Sequence, residues 1–469
     1  MKQFKLLITL AALVLLSANV DAQYLRTSYF MEGTSYRMQL NPALTPKRGY
    51  IQAPVFGALN ATINSSSIGY KDIIDIIENS NGGDYFMNND FIDKLKTNNN
   101  INLNLNVNVI SAGWYSGKNF WSFNINLRNN LGIKIPKNMF EFMRDMNTLC
   151  QNDYSNLETN PSAIEPLLGL DKRVDKQSVY LKSFTEIGVG FARDITDRLT
   201  IGGRFKFLLG NSDMSLHINN IRVHTPSEMT IDKPVSAGIE VDATLRNSSQ
   251  MLKLVQENDY ISDAEFGKVG FCGYGTAIDL GASFRVLDRL TISAGITDLG
   301  FISWNKKHTQ TATARANQEY NLANQSELME FTDLVSSGEI LNLDMIKMSF
   351  DEESADNYKS ALTSTVSLGA EYELVNKWLA FGALYTTHFT KPKSINELTF
   401  SANVRPGNAF NASLSYSVLQ GEGKTFGVAL KLGPVFLGTD YMFLGKNTKN
   451  INAFIGSSIA IGAKKGERK

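Results

Sequence analysis

The residues able to do chemistry are few and scattered. Four His occur in 469 residues. His217 and His224 lie seven apart, His308 opens a later stretch, and His388 stands near the end of an alternating segment. There is no HExxH pair to hold zinc and no GxSxG elbow to raise a nucleophilic serine. Gly421-Glu422-Gly423-Lys424-Thr425 ends like a phosphate-binding loop, but Val418 stands where the first glycine is required. It reads as a hairpin tip. Cys150 and Cys272 make no CxxC pair, and whether they join in an oxidising compartment stays open. No catalytic constellation, metal set or cofactor motif emerges, so an enzyme is not expected. Two patterns remain. Asn41-Pro42-Ala43 has the chemistry of a turn, because Asn-Pro starts one unaided. Phe140, Met143 and Met146 recur at helical spacing behind Pro136, and flexible Met side chains suit varied hydrophobic ligands.

Charge and hydropathy narrow the class. The chain has 46 Lys+Arg against 46 Asp+Glu and no basic block, so nucleic acid is not an expected partner. Outside the N-terminus no run of about 18 apolar residues exists to cross a bilayer as a helix. The N-terminus itself reads as an export signal over residues 1–22. Lys2 and Lys5 precede an apolar stretch from Leu6 to Leu16, and Val20 and Ala22 are the small residues before cleavage.

The elements that must position any site are strands. From Ile101 to Val109, Ile101, Leu103, Leu105, Val107 and Val109 alternate with Asn102, Asn104, Asn106 and Asn108. That is a period-2 strand with one apolar and one polar face. The same rhythm recurs along the chain, and we count fourteen strands, near 50–64, 100–114, 119–132, 178–194, 198–210, 270–287, 289–305, 360–375, 378–392, 395–404, 407–419, 424–432, 434–444 and 451–463. After even-numbered strands the connections are short, as at Gly117-Lys118 and Gly433-Pro434. After strands one, three, five and seven they are long: 65–99, 133–177, 211–269 and 306–359. An even strand count with short turns at one end and long loops at the other predicts an all-β, transmembrane antiparallel barrel. In lipid a sheet must close on itself, with an apolar outer face and a lumen free to be polar. Both termini then fall on the short-turn side, the periplasm. Outer-membrane lipids are the expected surroundings. Trp114, Trp121, Trp304 and Trp378 all fall near strand ends and read as interfacial girdles.

The long loops carry apolar stripes: Ile73, Ile74, Ile76 and Ile77; Leu167, Leu168 and Leu170; Met251-Leu252 with Leu254-Val255; Leu328, Phe331 and Leu334; Leu341, Leu343, Met345 and Ile346. These predict short helices over the outer mouth. Such helices either pack on one another as a lid or line a groove for a hydrophobic ligand, with Phe140, Met143 and Met146 as groove residues.

Residues 23–49 precede the barrel of 50–469, and they contain the Asn41-Pro42-Ala43 motif. An Asn-Pro-Ala motif just ahead of a fourteen-stranded barrel resembles the FadL family of outer-membrane transporters. It also resembles related outer-membrane families of Bacteroidota, and PorV-type proteins of type IX secretion share the architecture. The resemblance implies that 23–49 folds as a hatch inside the barrel and that Asn41, Pro42 and Ala43 gate it. It implies passive movement of a small hydrophobic ligand. The PorV-type likeness implies instead a barrel that serves secretion or assembly proteins without transporting. One departure is the charged tail Lys464-Lys465-Gly466-Glu467-Arg468-Lys469, where many barrels end on an aromatic residue.

Overall fold

The computed structural model describes residues 26–32, 34–52, 58–69, 71–72, 74–75, 89–152, 161–228, 236–257, 259–336, 347–351, 356–375, 378–407, 409–420, 424–441 and 448–464. The export signal, Ile73, Ile76, Ile77, the stripe from Leu341 to Ile346, the 421–423 tip and the tail beyond Lys464 lie outside these residues.

Fourteen strands close into one antiparallel barrel. They are β1 (Arg48–Gln52 and Leu59–Ser65), β2 (Asn98–Ser116), β3 (Asn119–Pro136), β4 (Gln177–Asp194), β5 (Leu199–His224), β6 (Gly273–Leu287) and β7 (Leu290–Trp304). Then follow β8 (Tyr358–Ala361 and Thr365–Val375), β9 (Leu379–His388), β10 (Ile395–Val404), β11 (Phe410–Gln420), β12 (Thr425–Leu432), β13 (Val435–Thr439) and β14 (Asn450–Ser457 and Ile459–Lys464). Each pairs with the next, and β14 returns to β1 through Tyr50↔Ala460 and Ile63↔Ile451. Closure leaves no free edge, as a spanning sheet requires.

Alternation sorts the side chains. On β10, Glu397, Thr399, Ser401 and Asn403 are buried in the lumen while Phe400 faces out, 47 % exposed. Phe205, Leu280, Phe284, Leu368, Phe381, Leu414 and Ile455 extend this outer apolar belt. The belt makes the barrel a membrane-spanning one. Short turns join the strands at one end. Gly433, at φ +58, followed by Pro434 fits a II′ hairpin turn, where the first central residue needs positive φ and the second does not.

The outer end departs from expectation in two ways. The mouth is covered by more sheet than helix. β5 continues 26 residues to His224, past the 210 boundary read from the sequence, and pairs there with Ser236–Ser249 and Asp171–Val174. Thr309–Asn321 extends this crown sheet. Met251-Leu252 and Leu254-Val255 belong to a hairpin of Leu252–Glu257 with Tyr260–Phe266, not a helix. Two of the expected helices do form, Lys137–Cys150 (α1) and Gln325–Ser336 (α2). They cover one face of the crown, and Phe142, Met146, Leu167, Ile221, Ile239 and Phe331 form its apolar core. The Trp girdle also needs correction. Trp114 and Trp121 are paired and exposed at the first short turn, and Trp378 is exposed at another. Trp304 is buried, donates from Nε1 to Ser360 Oγ at 2.7 Å, and packs against Phe184 and Leu208.

Candidate functional site: a plugged lumen

The described residues of 26–47 run inside the barrel, from Arg26 beside Glu397 and Asn64 on the outer side to Pro46 beside Tyr115 near the first short turn. Arg48 and Gly49 already belong to β1. The segment is built as a string of tight turns, with Tyr29 N–H donating to Arg26 O, Met31 N–H to Ser28 O and Leu44 N–H to Asn41 O. Asn41 Oδ1 accepts from Ala43 N–H at 3.0 Å, which folds the Asn-Pro-Ala motif as an Asx turn. Asn41 Nδ2 then donates to the backbone carbonyls of Ala294 at 3.0 Å and Ala282 at 3.4 Å. Asn41, Pro42 and Ala43 therefore lie together against β6 and β7.

The wall is cut away to receive them. A Cβ on Gly202 would stand 2.5 Å from the Pro42 carbonyl carbon, and one on Gly281 would collide with Asn41 Oδ1. Both contacts are closer than real Cβ atoms allow, so the plug backbone reaches the wall only because these positions lack side chains. The row continues around the bore: Gly295 at Asn41, Gly369 at Tyr29, Gly382 at Phe30 and Gly427 at Thr27. Apolar patches fill the rest. Tyr29, Phe30, Leu40 and Leu44 pack on Leu384, and Met31 and Tyr36 pack on Ala429, Phe436 and Phe454.

Ionic anchors hold the two ends. Arg26 pairs with Glu397, lies 3.9 Å from Asp440, and stacks its guanidinium over the Tyr441 ring at 4.7 Å. Thr27 N–H donates to Asp440 Oδ1 at 2.8 Å. Nearer the short turns, Arg405 donates to Phe30 O at 3.2 Å and pairs with Glu371 at 2.7 Å and Glu373 at 3.1 Å. Tyr115 donates its hydroxyl to Pro46 O at 2.6 Å.

Between plug and crown lies a buried charge cluster drawn from five successive strands. Arg128 grips Asp298 with two nitrogens at 2.7 and 2.8 Å and reaches Glu186 at 2.9 Å. Lys206 meets Asp298 at 2.6 Å, Asp279 at 2.9 Å and Glu186 at 3.4 Å. Arg204 touches Asp279 at 3.4 Å and donates to Met38 O of the plug at 2.9 Å. Asp298 sits at φ +62 where the β6–β7 register slips, a bulge that aims its carboxylate into the bore. Three cations and three carboxylates balance, so the cluster is neutral as a whole. Removing any one member leaves an uncompensated buried charge.

The other residues singled out in the sequence lie elsewhere. Phe140 and Met143 are buried against Ile68, Phe91, Ile92 and Leu95 beneath the mouth, while Met146 enters the crown core. His388 lies in the lumen, with Nδ1 2.9 Å from Thr365 Oγ1 and Nε2 3.7 Å from Glu397, the carboxylate that Arg26 also uses. His217 and His224 are on the crown half of β5. Cys150 and Cys272 are not joined to each other in a disulfide. The charge cluster was not singled out, yet each member stands at a lumen-facing position of a called strand. A charge at mid-strand on the polar face is the signal that would have found it.

A closed fourteen-stranded transmembrane barrel, with its own N-terminal segment packed inside it, is the class of protein these features define. The chain belongs to the family of unknown function DUF5723, whose model matches residues 42–440. No curated protein matches the sequence. Among solved structures, it is similar to the toluene transporter TbuX of Ralstonia pickettii. That likeness has 11 % identity and a TM-score of 0.44, over 95 % of this chain and 100 % of that one. The Pseudomonas putida toluene transporter TodX matches at 8 % identity and TM-score 0.36, over 94 % of this chain and 95 % of that one. A FadL homologue of Pseudomonas aeruginosa matches at 10 % and 0.37, over 94 % and 97 %.

Proposed function

We propose that the protein is a passive outer-membrane transporter, closed at rest, with residues 26–47 as its hatch and Asn41, Pro42 and Ala43 as the gate. One observation supports this above the others. The plug fills a bore that is already closed by its own hydrogen bonds, so it can leave without opening the barrel. Both termini face the periplasm in this reading.

The resemblance to FadL makes small hydrophobic compounds the first cargo reading. Such a solute would enter beside Phe140 and Met143, while Met146 stays in the crown core. A specific observation favours a second cargo class. The lumen wall above the plug is polar, with Asn60, Asn102, Asn106, Asn108, Ser111 and Thr365 among its buried residues. An apolar solute gains nothing from such a wall, because it would displace water from groups it cannot hydrogen-bond.

The test is flux through the full chain in proteoliposomes, with toluene and glucose as solutes, before and after releasing the plug with Arg26→Ala. Toluene entry supports the first cargo and glucose entry the second. A folded, plug-released barrel that passes neither overturns transport. If that same barrel co-purifies with a stoichiometric protein, the result favours a non-transporting secretion or assembly role.

A further inference from the structure

We propose that the pocket at the outer mouth is a binding site for a single sugar ring or a polyhydroxylated solute of that size, with amides for its hydroxyls and an apolar side for its C–H face. The pocket has a volume of about 210 Å³ and is lined by Asn64, Asn100, Asn102 and Asn450 from β1, β2 and β14 and by Ile395 and Leu419 from β10 and β11. At roughly 30 Å³ per water it has room for about seven, which is the displacement of one pyranose.

Its walls are built in register. Asn450 on β14 is directly opposite Asn64 on β1, which is directly opposite Asn102 on β2. Opposed side chains on neighbouring strands stand about 5 Å apart, so three carboxamides form a row across the wall. Gly132 follows Asn102 on β3, and the Lys391 carbonyl crosses above it from the β9–β10 turn. A carboxamide offers two donors and an acceptor, and a sugar hydroxyl is both donor and acceptor. A row of amides is thus matched to a ring of hydroxyls.

The amides are also unspent. Among the described residues, no side-chain hydrogen bond joins Asn64, Asn100, Asn102 or Asn450 to the protein. Two residues along β14, Asn452 is saturated: its two Nδ2 hydrogens have three acceptors within reach, Asn60 Oδ1 at 2.9 Å, Ala61 O at 2.8 Å and Thr62 Oγ1 at 2.8 Å, and its Oδ1 accepts from Asp440 N–H at 2.8 Å. The difference is not one of exposure. Asn102 is only 5 % exposed, and its Oδ1 has no partner. A buried acceptor left in that state is costly, and a solute hydroxyl would satisfy it.

The inference rests on the transport reading only for its role in uptake. The pocket itself is tested by calorimetric titration of the detergent-solubilised full chain with glucose, galactose, mannose and N-acetylglucosamine. Saturable binding of at least one sugar is expected, weakened about tenfold or more by Asn102→Leu, a loss equivalent to about 1.4 kcal/mol. Asn450→Ala, at a half-buried position, gives the same readout should Asn102→Leu fail to fold. No binding to any of the four sugars, or binding that neither variant weakens, overturns the site. Sugar binding to a plug-released barrel that passes no solute keeps the site and sinks transport. Flux without sugar binding does the reverse.

Discussion

The plug and the crown are held in place by different side chains. The crown has one continuous apolar core, from Phe142 and Met146 on α1 through Ile221 and Ile239 to Phe331 on α2. The plug has only a small core of its own, where Tyr29, Phe30, Leu40 and Leu44 pack together on Leu384. Its apolar side chains are divided among separate patches of wall, and its polar groups end on barrel side chains and carbonyls at Asp440, Arg405, Arg204 and Ala294. Water can replace each of those polar contacts, whereas nothing in water replaces a buried Phe. On the proposed reading, the plug is the part that moves and the crown the part that stays.

The comparison is sharpest at Arg26. Arg26→Ala leaves Glu397 and Asp440 buried without their cation, and removing one partner of such a set costs about 3–5 kcal/mol. The plug is expected to leave, with a large rise in single-channel conductance and an unchanged barrel by heat-modified gel mobility. Unaltered conductance would mean that the apolar patches alone hold the plug.

Phe331→Ala removes a fully buried ring from the crown at a cost of about 3–5 kcal/mol. Its effect belongs in protease sensitivity of the outer loops, with conductance as before. A leak from this variant would erase the division between the two regions.

Gly281→Leu adds a side chain where Asn41 sits. Overpacking of that kind costs about 1–3 kcal/mol, and the open fraction should rise about tenfold. The same change at Gly407, where a Cβ would meet nothing within 4 Å and the backbone is not in the left-handed region, is the control for the glycine itself.

Pro42→Gly loosens the gate motif more gently. It restores backbone freedom to the released segment, worth about 0.4–1 kcal/mol, and should raise leak a few-fold. A folded variant with unchanged leak would count against Asn41–Ala43 as the gate.

The smallest effect is a pH dependence in the crown. The side-chain hydrogen bond from Arg222 holds the Asp171 carboxyl below its ordinary range. A depressed carboxylate stabilises above its unfolded value, near pH 4, and loses that contribution as pH falls through the folded value. Asp171→Asn should therefore lower crown stability slightly at neutral pH and make no difference in strong acid, read by proteolysis. Because the pair is exposed, a large effect at pH 7 would show that the crown relies on charge after all.

Much of the barrel was legible because its rule is local. Alternation such as Asn102 to Asn108 needs no knowledge of the neighbouring strand, and loop sidedness needs only lengths. The crown was harder to read because the criterion used for the loops was an apolar stripe. Met214, Leu216, Ile218, Ile221 and Val223 carry the period-2 rhythm through the upper half of β5, with a slip at Asn219-Asn220, so this strand is visible to alternation and not to an apolar stripe. Trp304 misled for a related reason. Position along a strand does not say which face is lined by a neighbour, and here Phe184 and Leu208 cover it. The Asn-Pro-Ala turn was visible as a motif, but its receiving surface was not. Gly202 and Gly281 are far from it in sequence and meet it only after closure.

Closure has a consequence for how the molecule is made. The seam joins β14 to β1, and Asn452 stitches it by reaching residues 390 to 392 positions earlier. Contacts of that span form late, since the intervening chain must first be ordered. A nascent chain lacking its last strand would have two open edges, and Asp440, whose N–H donates to Asn452 Oδ1 at 2.8 Å, would lose the neighbour that places it beside Arg26. Assembly is therefore close to all-or-none: the pore is sealed by the same final step that makes it a pore.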